Sequence, residues 1–546
     1  MAEARRPTTD IPLTLHEAAR ALRAGELTSV ELTAACIARA DALDDQLGCY
    51  LARFDEEALA AAAAADERLA AGRDDGPLQG IPIGVKDILA TTEGPTTANS
   101  LVHDPAWGAG RDAPVITRLR AAGAVINGKV TTMEFAIGMP DFAKPFPIPR
   151  NPWDPAAWPG GSSSGTGNGV AAGFFLAGLG TDTGGSIRIP AAYCGVSGLM
   201  PTFGRVPKSG CVPLGFTLDH IGPLARGAWD CAAVLQVLAG ADPSDPNSVD
   251  VPVPDYHAGI DGGVEGLTVG VMREHHFNDP DPGTEAAFDA AIAQLRDLGA
   301  TVVDVSIPYY QEVTAASLVT MASEAMAYHR NDLCERWDDY FARTRELVVW
   351  GVLASGADYV QAQRVRRVGQ RALAGVLRGV DVIATPTAST GAPLYERINS
   401  EGGMGTFGSI HTPYWDAVGN PVLAVPMGFT DAGMPVSLQL AGRPFDESTL
   451  LRVGHAYQCA TDWHLRVPDL VSSVAEGGGG PVTDEEIVRA KVAAAGLCPS
   501  EAETATLVTA YAGLRGMLEM LYAVDEARYG DPCLTFAADP RFVDWS

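Results

Sequence analysis

The chain has 546 residues, which is far longer than a typical single domain and predicts a large α/β core with an accessory unit. Hydrophobic residues make up 47% of the sequence and charged residues 19%, a composition typical of globular enzymes that excludes a disordered or fibrous protein. The formal net charge of −28 would repel phosphate backbones and anionic lipid surfaces, so neither a nucleic acid nor a membrane is expected as a partner.

Cysteine usage and apolar segments narrow the class further. The nine cysteines are scattered and contain no C-x-x-C pair, so neither a disulfide framework nor a zinc site is predicted, and we expect no cofactor. The N-terminal sequence lacks the apolar stretch of a signal peptide, and no later stretch has about 20 uninterrupted apolar residues. A cytoplasmic protein is therefore expected.

Along the chain, strands and helices are predicted to alternate. Residues 13–71 are alanine-rich with helical spacing, and Thr28 and Glu31 have the spacing of a capping box at a helix start. Alternating apolar residues predict a short strand at 81–85, and Lys86 follows at its end. Short strands are also predicted at 124–127 and 267–271, and amphipathic helices at 284–298 and 358–377. This alternation indicates a layered α/β fold.

The C-terminal part is predicted to form a separate unit. Residues 472–483 are rich in glycine and serine, as is typical of a flexible linker. Beyond them, apolar residues recur at helical spacing: Leu507, Tyr511, Leu514, Leu518 and Leu521. We therefore predict a catalytic domain at 1–471, a linker at 472–483 and a small helical domain at 484–546 that packs on the main domain.

Two clusters rich in glycine, GGSSSG at 160–165 and TDTGGSIR at 181–188, are the strongest chemical signal. Glycine lets backbone N–H groups approach a ligand closely, as an oxyanion hole requires. The first cluster also matches the G-x-S-x-G nucleophile elbow, but that motif requires a strand directly before the serine. Three prolines at 151–159 disfavour such a strand, so we reject the elbow interpretation.

At these clusters the sequence resembles the amidase signature family. The resemblance is carried by GVKD at 84–87, GGSS at 160–163 and GTDTGGSIRIPAAYCG at 180–195, and it extends roughly over residues 13–470. It implies a three-layer α/β/α fold around a twisted, mostly parallel mixed sheet, to which the small C-terminal helical domain is added.

The resemblance also implies a role for each matching residue. Ser186 would be the nucleophile, Ser162 a bridging serine held by a cis peptide, and Lys86 the base, acting in its neutral form. The backbone N–H groups of Thr183, Gly184 and Gly185, with that of Ser186, would hold the oxyanion. Residues implied to support this loop are Ser163, Asp182 and Arg188. Candidates to meet a polar or anionic substrate group are Arg397, His411 and Tyr414.

The implied function is an amidohydrolase that cleaves a small carboxamide or acylurea C–N bond through an acyl-enzyme and releases ammonia. The C-terminal segment resembles the small helical subunit that accompanies certain family members, which favours 1-carboxybiuret or a related acylurea in nitrogen catabolism. The alternatives are a general aliphatic or aryl amidase, the glutaminase subunit of a tRNA-dependent amidotransferase, and a non-catalytic scaffold of the same fold. A small-molecule substrate is the expected partner, and a homodimer is compatible with the sequence.

Overall fold

The computed structural model describes residues 12–401 and 408–468, together with ten positions between 500 and 520. The predicted linker at 472–483 lies outside the described residues, as does most of the predicted helical domain at 484–546. No helix in the described part of the chain is long and apolar enough to cross a membrane.

One mixed sheet of eleven strands forms the centre of the protein. The strands are β1 (Tyr50–Arg53), β2 (Pro82–Lys86), β3 (Val125–Val130), β4 (Ala177–Asp182), β5 (Ser197–Met200), β6 (His220–Ala225), β7 (Thr268–Val271), β8 (Thr301–Asp304), β9 (Val382–Pro386), β10 (Val422–Phe429) and β11 (Pro435–Ala441). Their spatial order is β1-β3-β2-β4-β6-β5-β10-β11-β9-β7-β8. The predicted mixed sheet is thus confirmed.

The strand directions differ from the mostly parallel arrangement that was expected. The pairs β2–β3, β2–β4, β7–β8 and β7–β9 are parallel. From β4 to β9 across the middle of the sheet, every neighbouring pair is antiparallel. Part of the reason is local, because β10 and β11 are joined by a short turn, and a short connection can link only antiparallel neighbours.

Helices cover both faces of the sheet. They are α1 (Leu15–Ala24), α2 (Ser29–Leu47), α3 (Asp55–Ala70), α4 (Pro114–Ala121), α5 (Ser164–Ala172), α6 (Arg188–Cys194), α7 (Ala228–Leu238), α8 (Thr284–Asp297), α9 (Tyr310–Glu335), α10 (Ala342–Leu353), α11 (Gly356–Leu377), α12 (Tyr395–Glu401), α13 (Pro413–Val418) and α14 (Glu447–Cys459). Side chains alternate along β10 accordingly: Leu423 and Val425 pack with α7 and α14, whereas Val422 packs on the opposite side with α9 and α11. The three-layer α/β/α prediction is confirmed.

Local sequence explains where helices begin. The predicted capping box starts α2, where the Thr28 hydroxyl accepts from Glu31 N at 3.1 Å and Thr28 N donates to Glu31 Oε2 at 2.8 Å. A second box of the same type starts α11 at Ser355 and Asp358. The predicted helices at 284–298 and 358–377 correspond to α8 and α11.

The described C-terminal positions pack on the helical layer that carries α9 and α10. Leu507 and Leu514 are buried in the same hydrophobic cluster as side chains of these helices. Glu503 accepts a hydrogen bond from Trp337 Nε1 at 3.1 Å and forms an ion pair with Arg345 of α10. Ser500 caps this segment by donating its hydroxyl to Glu503.

Candidate active site

Lys86 and Ser162 form the buried centre of the site. Lys86 is the last residue of β2 and is fully buried, and its Nζ lies 2.7 Å from the hydroxyls of both Ser162 and Thr181. Ser162 follows a cis peptide bond after Gly161 and precedes α5. Burial lowers the pKa of Lys86 to about 7, against the smaller opposing effects of Cys211 and Asp182, because an ammonium is poorly solvated there. A neutral lysine that can accept a proton is therefore accessible near neutral pH.

Ser186 faces the same cleft as Ser162. It lies in the loop between β4 and α6, and both serines line the cleft, with Ser186 about 9% exposed. The two loops are tied together, since Ser163 N donates to Ser186 O at 3.2 Å and the Ser163 hydroxyl bonds to the main chain of Thr181. Because β2 and β4 are parallel neighbours, their carboxyl ends bring Lys86 and the Ser186 loop to one edge of the sheet.

The glycine-rich loop before Ser186 has its shape fixed by side-chain contacts. Gly184 lines the cleft, and its carbonyl accepts a hydrogen bond from the Thr412 hydroxyl at 2.6 Å. Gly185 has a φ of +128°, and a Cβ at this position would collide with Thr412. The N–H of Gly185 donates to Asp182 Oδ1, so this group holds the loop, and the oxyanion prediction narrows to the other N–H groups of the loop. The Thr183 hydroxyl donates to Asp219 at 2.7 Å.

Arg188 and Asp182 lie behind the loop and are completely buried. Arg188 uses all five of its N–H groups: it donates twice to Asp182, and once each to Asp416, to Gln439 and to the carbonyl of Thr412. Burial raises the pKa of Asp182, but the Arg188 charge outweighs it and holds that pKa below its usual value. The predicted supporting residues therefore form one ionic network that fixes the loop and has no donor left for a substrate.

The wall of the cleft opposite the serines is apolar. It is formed by residues 133–138, by Leu318 and Met321 of α9, and by Leu347 and Trp350 of α10. The cleft contains about 790 Å³ of space, part of it open to solvent. The sequence interpretation missed this wall, because apolar residues at helical spacing predict core packing equally well.

Other predicted contacts do not reach the cleft. His411 and Tyr414 are buried side chains of an aromatic cluster, in which His411 contacts His276 and Tyr414 stacks on Tyr310 at 4.8 Å between ring centroids. Arg397 is likewise absent from the described residues that line the cleft. Across the described part of the chain, no group of three or more His, Cys, Asp or Glu residues is arranged to hold a metal ion.

Comparisons with known proteins agree with this geometry. A family model described as Amidase matches residues 31–451. The chain is 44% identical over 485 residues to a glutamyl-tRNA(Gln) amidotransferase chain, the A subunit, of Chloroflexus aggregans, covering 84% of this chain and 98% of that protein. It is 41% identical over 468 residues to a protein named Amidase from Pseudomonas putida, covering 84% of this chain and 98% of the relative.

Solved structures extend the likeness to three dimensions. An inhibitor-bound complex that concerns the evolutionary origins of an s-triazine catabolic enzyme superposes with a TM-score of 0.77. The sequences are 32% identical, and the match covers 82% of this chain and 98% of the other. The chain therefore belongs to the amidase signature family and is a hydrolase that acts on amide C–N bonds.

Proposed function

We propose that the protein hydrolyses small carboxamides to a carboxylate and ammonia through an acyl-enzyme on Ser186. The observation that carries this proposal is a buried, readily neutralised Lys86 in hydrogen-bond contact with Ser162, in the cleft that Ser186 also lines. An alcohol attacks an amide poorly unless a neighbour removes its proton as the new bond forms. Lys86 supplies that base, and Ser162 links it to the nucleophile.

In the acylation step, Ser186 Oγ attacks the amide carbon and passes its proton to Ser162, which passes its own proton to neutral Lys86. The carbonyl electrons move to the oxygen, and the N–H groups near Gly184 stabilise the resulting oxyanion. Lys86 then returns the proton through Ser162 to the leaving nitrogen, so that the C–N bond breaks and ammonia departs. Water repeats the attack on the ester, which releases the acid and restores Ser186.

Two narrower substrate classes have support of their own. The similarity to the s-triazine catabolic enzyme complex supports the acylurea hypothesis, with 1-carboxybiuret as its specific form. The relatives named as glutamyl-tRNA(Gln) amidotransferase subunits support a glutaminase. Both substrates carry charge, whereas the cleft wall is apolar, so we place simple aliphatic and aryl amides first. The homodimer and the cytoplasmic location stay predictions.

The test is ammonia release by wild-type protein and by Ser186→Ala from simple amides, acylureas including fresh carboxybiuret, and glutamine. We expect release from simple amides by the wild type alone, at least about 1,000-fold above the variant. Equal release by both proteins would overturn the acyl-enzyme on Ser186. Covalent labelling by a serine-reactive probe, lost in Ser186→Ala, separates an active enzyme from a non-catalytic scaffold.

A further inference from the structure

The cleft in front of the serines is lined without a single charged side chain among the described residues. Its nearest apolar group to the nucleophile loop belongs to α9: Met321 Sδ lies 3.9 Å from the place where a Cβ on Gly184 would stand. The polar side-chain atoms of the lining are the hydroxyls of Ser162 and Ser186 and the indole N–H groups of Trp158 and Trp350. These are neutral groups, which orient a substrate but cannot neutralise a charge on it.

Basic side chains near the lining are held elsewhere. The ones closest in sequence to lining residues are Lys129, paired with Asp87; Lys144 and Lys208, bonded to the carbonyls of Asp338 and Phe216; Arg188, in the ionic network; and Arg343 and Arg345, paired with Glu346 and Glu503. A carboxylate on a bound acyl group would therefore lose its water and find none of these cations in exchange. The cost of burying an unpaired charge far exceeds that of burying a neutral polar group.

A positively charged acyl group would fare no better. The carboxylate nearest in sequence to the lining is Glu134, which is buried and accepts from Ser100 Oγ at 2.6 Å and from Phe341 N at 2.7 Å. Burial raises the pKa of Glu134 to about 7, so at neutral pH its negative charge is only partly present. Glu134 therefore holds the segment 133–138 against the start of α10 and does not serve as an ammonium site.

One group in the wall does ask for a partner. Trp158 is completely buried, and its Nε1 has no hydrogen-bond partner among the residues that the structure describes. Its ring lies against Gly161, the residue before Ser162, because a Cβ on that glycine would approach Trp158 to 3.0 Å. A neutral acceptor on the substrate would satisfy this donor, whereas a purely charged recognition group is not needed there.

We infer that the cleft selects amides whose acyl group is uncharged and mainly apolar, such as arylalkyl or medium-chain alkyl carboxamides, with Met321, Leu347 and Trp350 as specificity-determining residues. This inference rests on the proposed amide hydrolysis at Ser186. It goes beyond it by excluding free glutamine and anionic acylureas as preferred substrates, although the chemistry of the serines alone would accept them.

A matched substrate pair tests the inference. Hexanamide and the monoamide of adipic acid have the same chain length and differ at the far end, where one has a methyl group and the other a carboxylate. We expect kcat/KM to be at least about 100-fold higher for hexanamide, because the carboxylate must be desolvated without a partner. Equal or higher kcat/KM for the acidic monoamide would overturn the inference and leave the proposed function intact.

A charge-introducing variant sharpens the test. Met321→Lys places a cation in the wall and is expected to reduce the preference at least about tenfold by improving kcat/KM for the acidic monoamide. Met321→Leu is the matched control and is expected to keep the wild-type preference. An unchanged preference in a folded Met321→Lys protein would remove Met321 from the specificity-determining set.

Binding measurements keep the two proposals distinguishable. Titration calorimetry of both amides with Ser186→Ala reports recognition without turnover, so the inference is decided even where wild-type protein hydrolyses neither compound. Tighter binding of hexanamide by Ser186→Ala supports the inference. Preferential binding of the acidic monoamide contradicts it, and so does equal binding.

Discussion

The two walls of the cleft are built on different physical principles. On one side, Lys86, Ser162 and Ser186 lie at the ends of parallel strands, backed by an ionic network in which Arg188 spends all its donors. On the other side, α9 and α10 present apolar side chains to the cleft. The polar wall fixes the position of each reacting atom, whereas the apolar wall can change shape without touching the chemistry. The polar wall should therefore respond to mutation mainly in kcat, and the apolar wall mainly in KM and selectivity.

The largest expected effect comes from removing the base. Lys86→Met should lower kcat by at least about 1,000-fold, because Ser186 would lose the acceptor of its proton through Ser162. Thermal stability should be retained, since the Lys86 side chain is hydrogen-bonded to hydroxyls, and its removal leaves no buried carboxylate of the described residues unpaired. Initial rates of ammonia release and a melting curve on the same preparation check both parts.

A second buried lysine provides the control for that experiment. Lys129 on β3 is as deeply buried as Lys86 but forms an ion pair with Asp87 at 2.8 Å. Lys129→Met should cost about 3 kcal/mol of unfolding free energy, because it leaves a buried carboxylate without its partner. A large loss of stability in Lys86→Met with a small loss in Lys129→Met would reverse the roles given to the two lysines.

The loop before the nucleophile should be the next most sensitive place. Gly185→Ala forces a Cβ onto Thr412 at a φ of +128°, which displaces the N–H groups near Gly184, so kcat should fall about 100-fold. Gly263→Ala is the matched control, since Gly263 also has a positive φ, of +64°, but open space around it. Full activity in Gly185→Ala would show that the loop shape is not needed for the reaction.

The protonation state of Lys86 should set the pH dependence. Its pKa is lowered to about 7, and only the neutral form accepts a proton, so activity rises with pH through that value. For a single ionisation, kcat/KM with an uncharged amide should be about tenfold higher at pH 8 than at pH 6. A flat profile over this interval, in protein that circular dichroism shows to be folded throughout, would rule out Lys86 as the base.

The polar wall could be predicted from the sequence far better than the apolar wall. The residues around Ser162 and Ser186 form contiguous glycine-rich motifs, in which spacing along the chain is nearly spacing in space. The strand predicted at 81–85 corresponds to β2 and places Lys86 at its carboxyl end. The helices predicted at 284–298 and 358–377 were found because strong amphipathic periodicity is a local property.

What the sequence did not reveal depends on contacts between distant segments. Met321 and Trp350 have the same pattern as any core helix residue, and only the packing of α9 and α10 over the serines makes them part of the cleft. His411 and Tyr414 lie in a polar stretch that suggested substrate contact, yet tertiary packing buries them beside His276 and Tyr310. The Gly185 N–H was expected to face the substrate, but the Asp182 carboxylate binds it instead.

The smallest effect should come from the C-terminal positions that support the apolar wall. Leu507 is completely buried in the cluster that α9 and α10 form, so Leu507→Ala leaves a cavity behind helices that carry Met321 and Trp350. We expect a loss of about 3 kcal/mol in unfolding free energy and a KM for hexanamide raised about threefold, with the pH inflection of kcat/KM unchanged. A polar wall held by the Arg188 network has no reason to respond to this cavity. A shifted pH inflection in Leu507→Ala would therefore mean that the two walls are mechanically coupled, whereas an unchanged inflection with altered KM would separate positioning of the reacting atoms from selection of the acyl group.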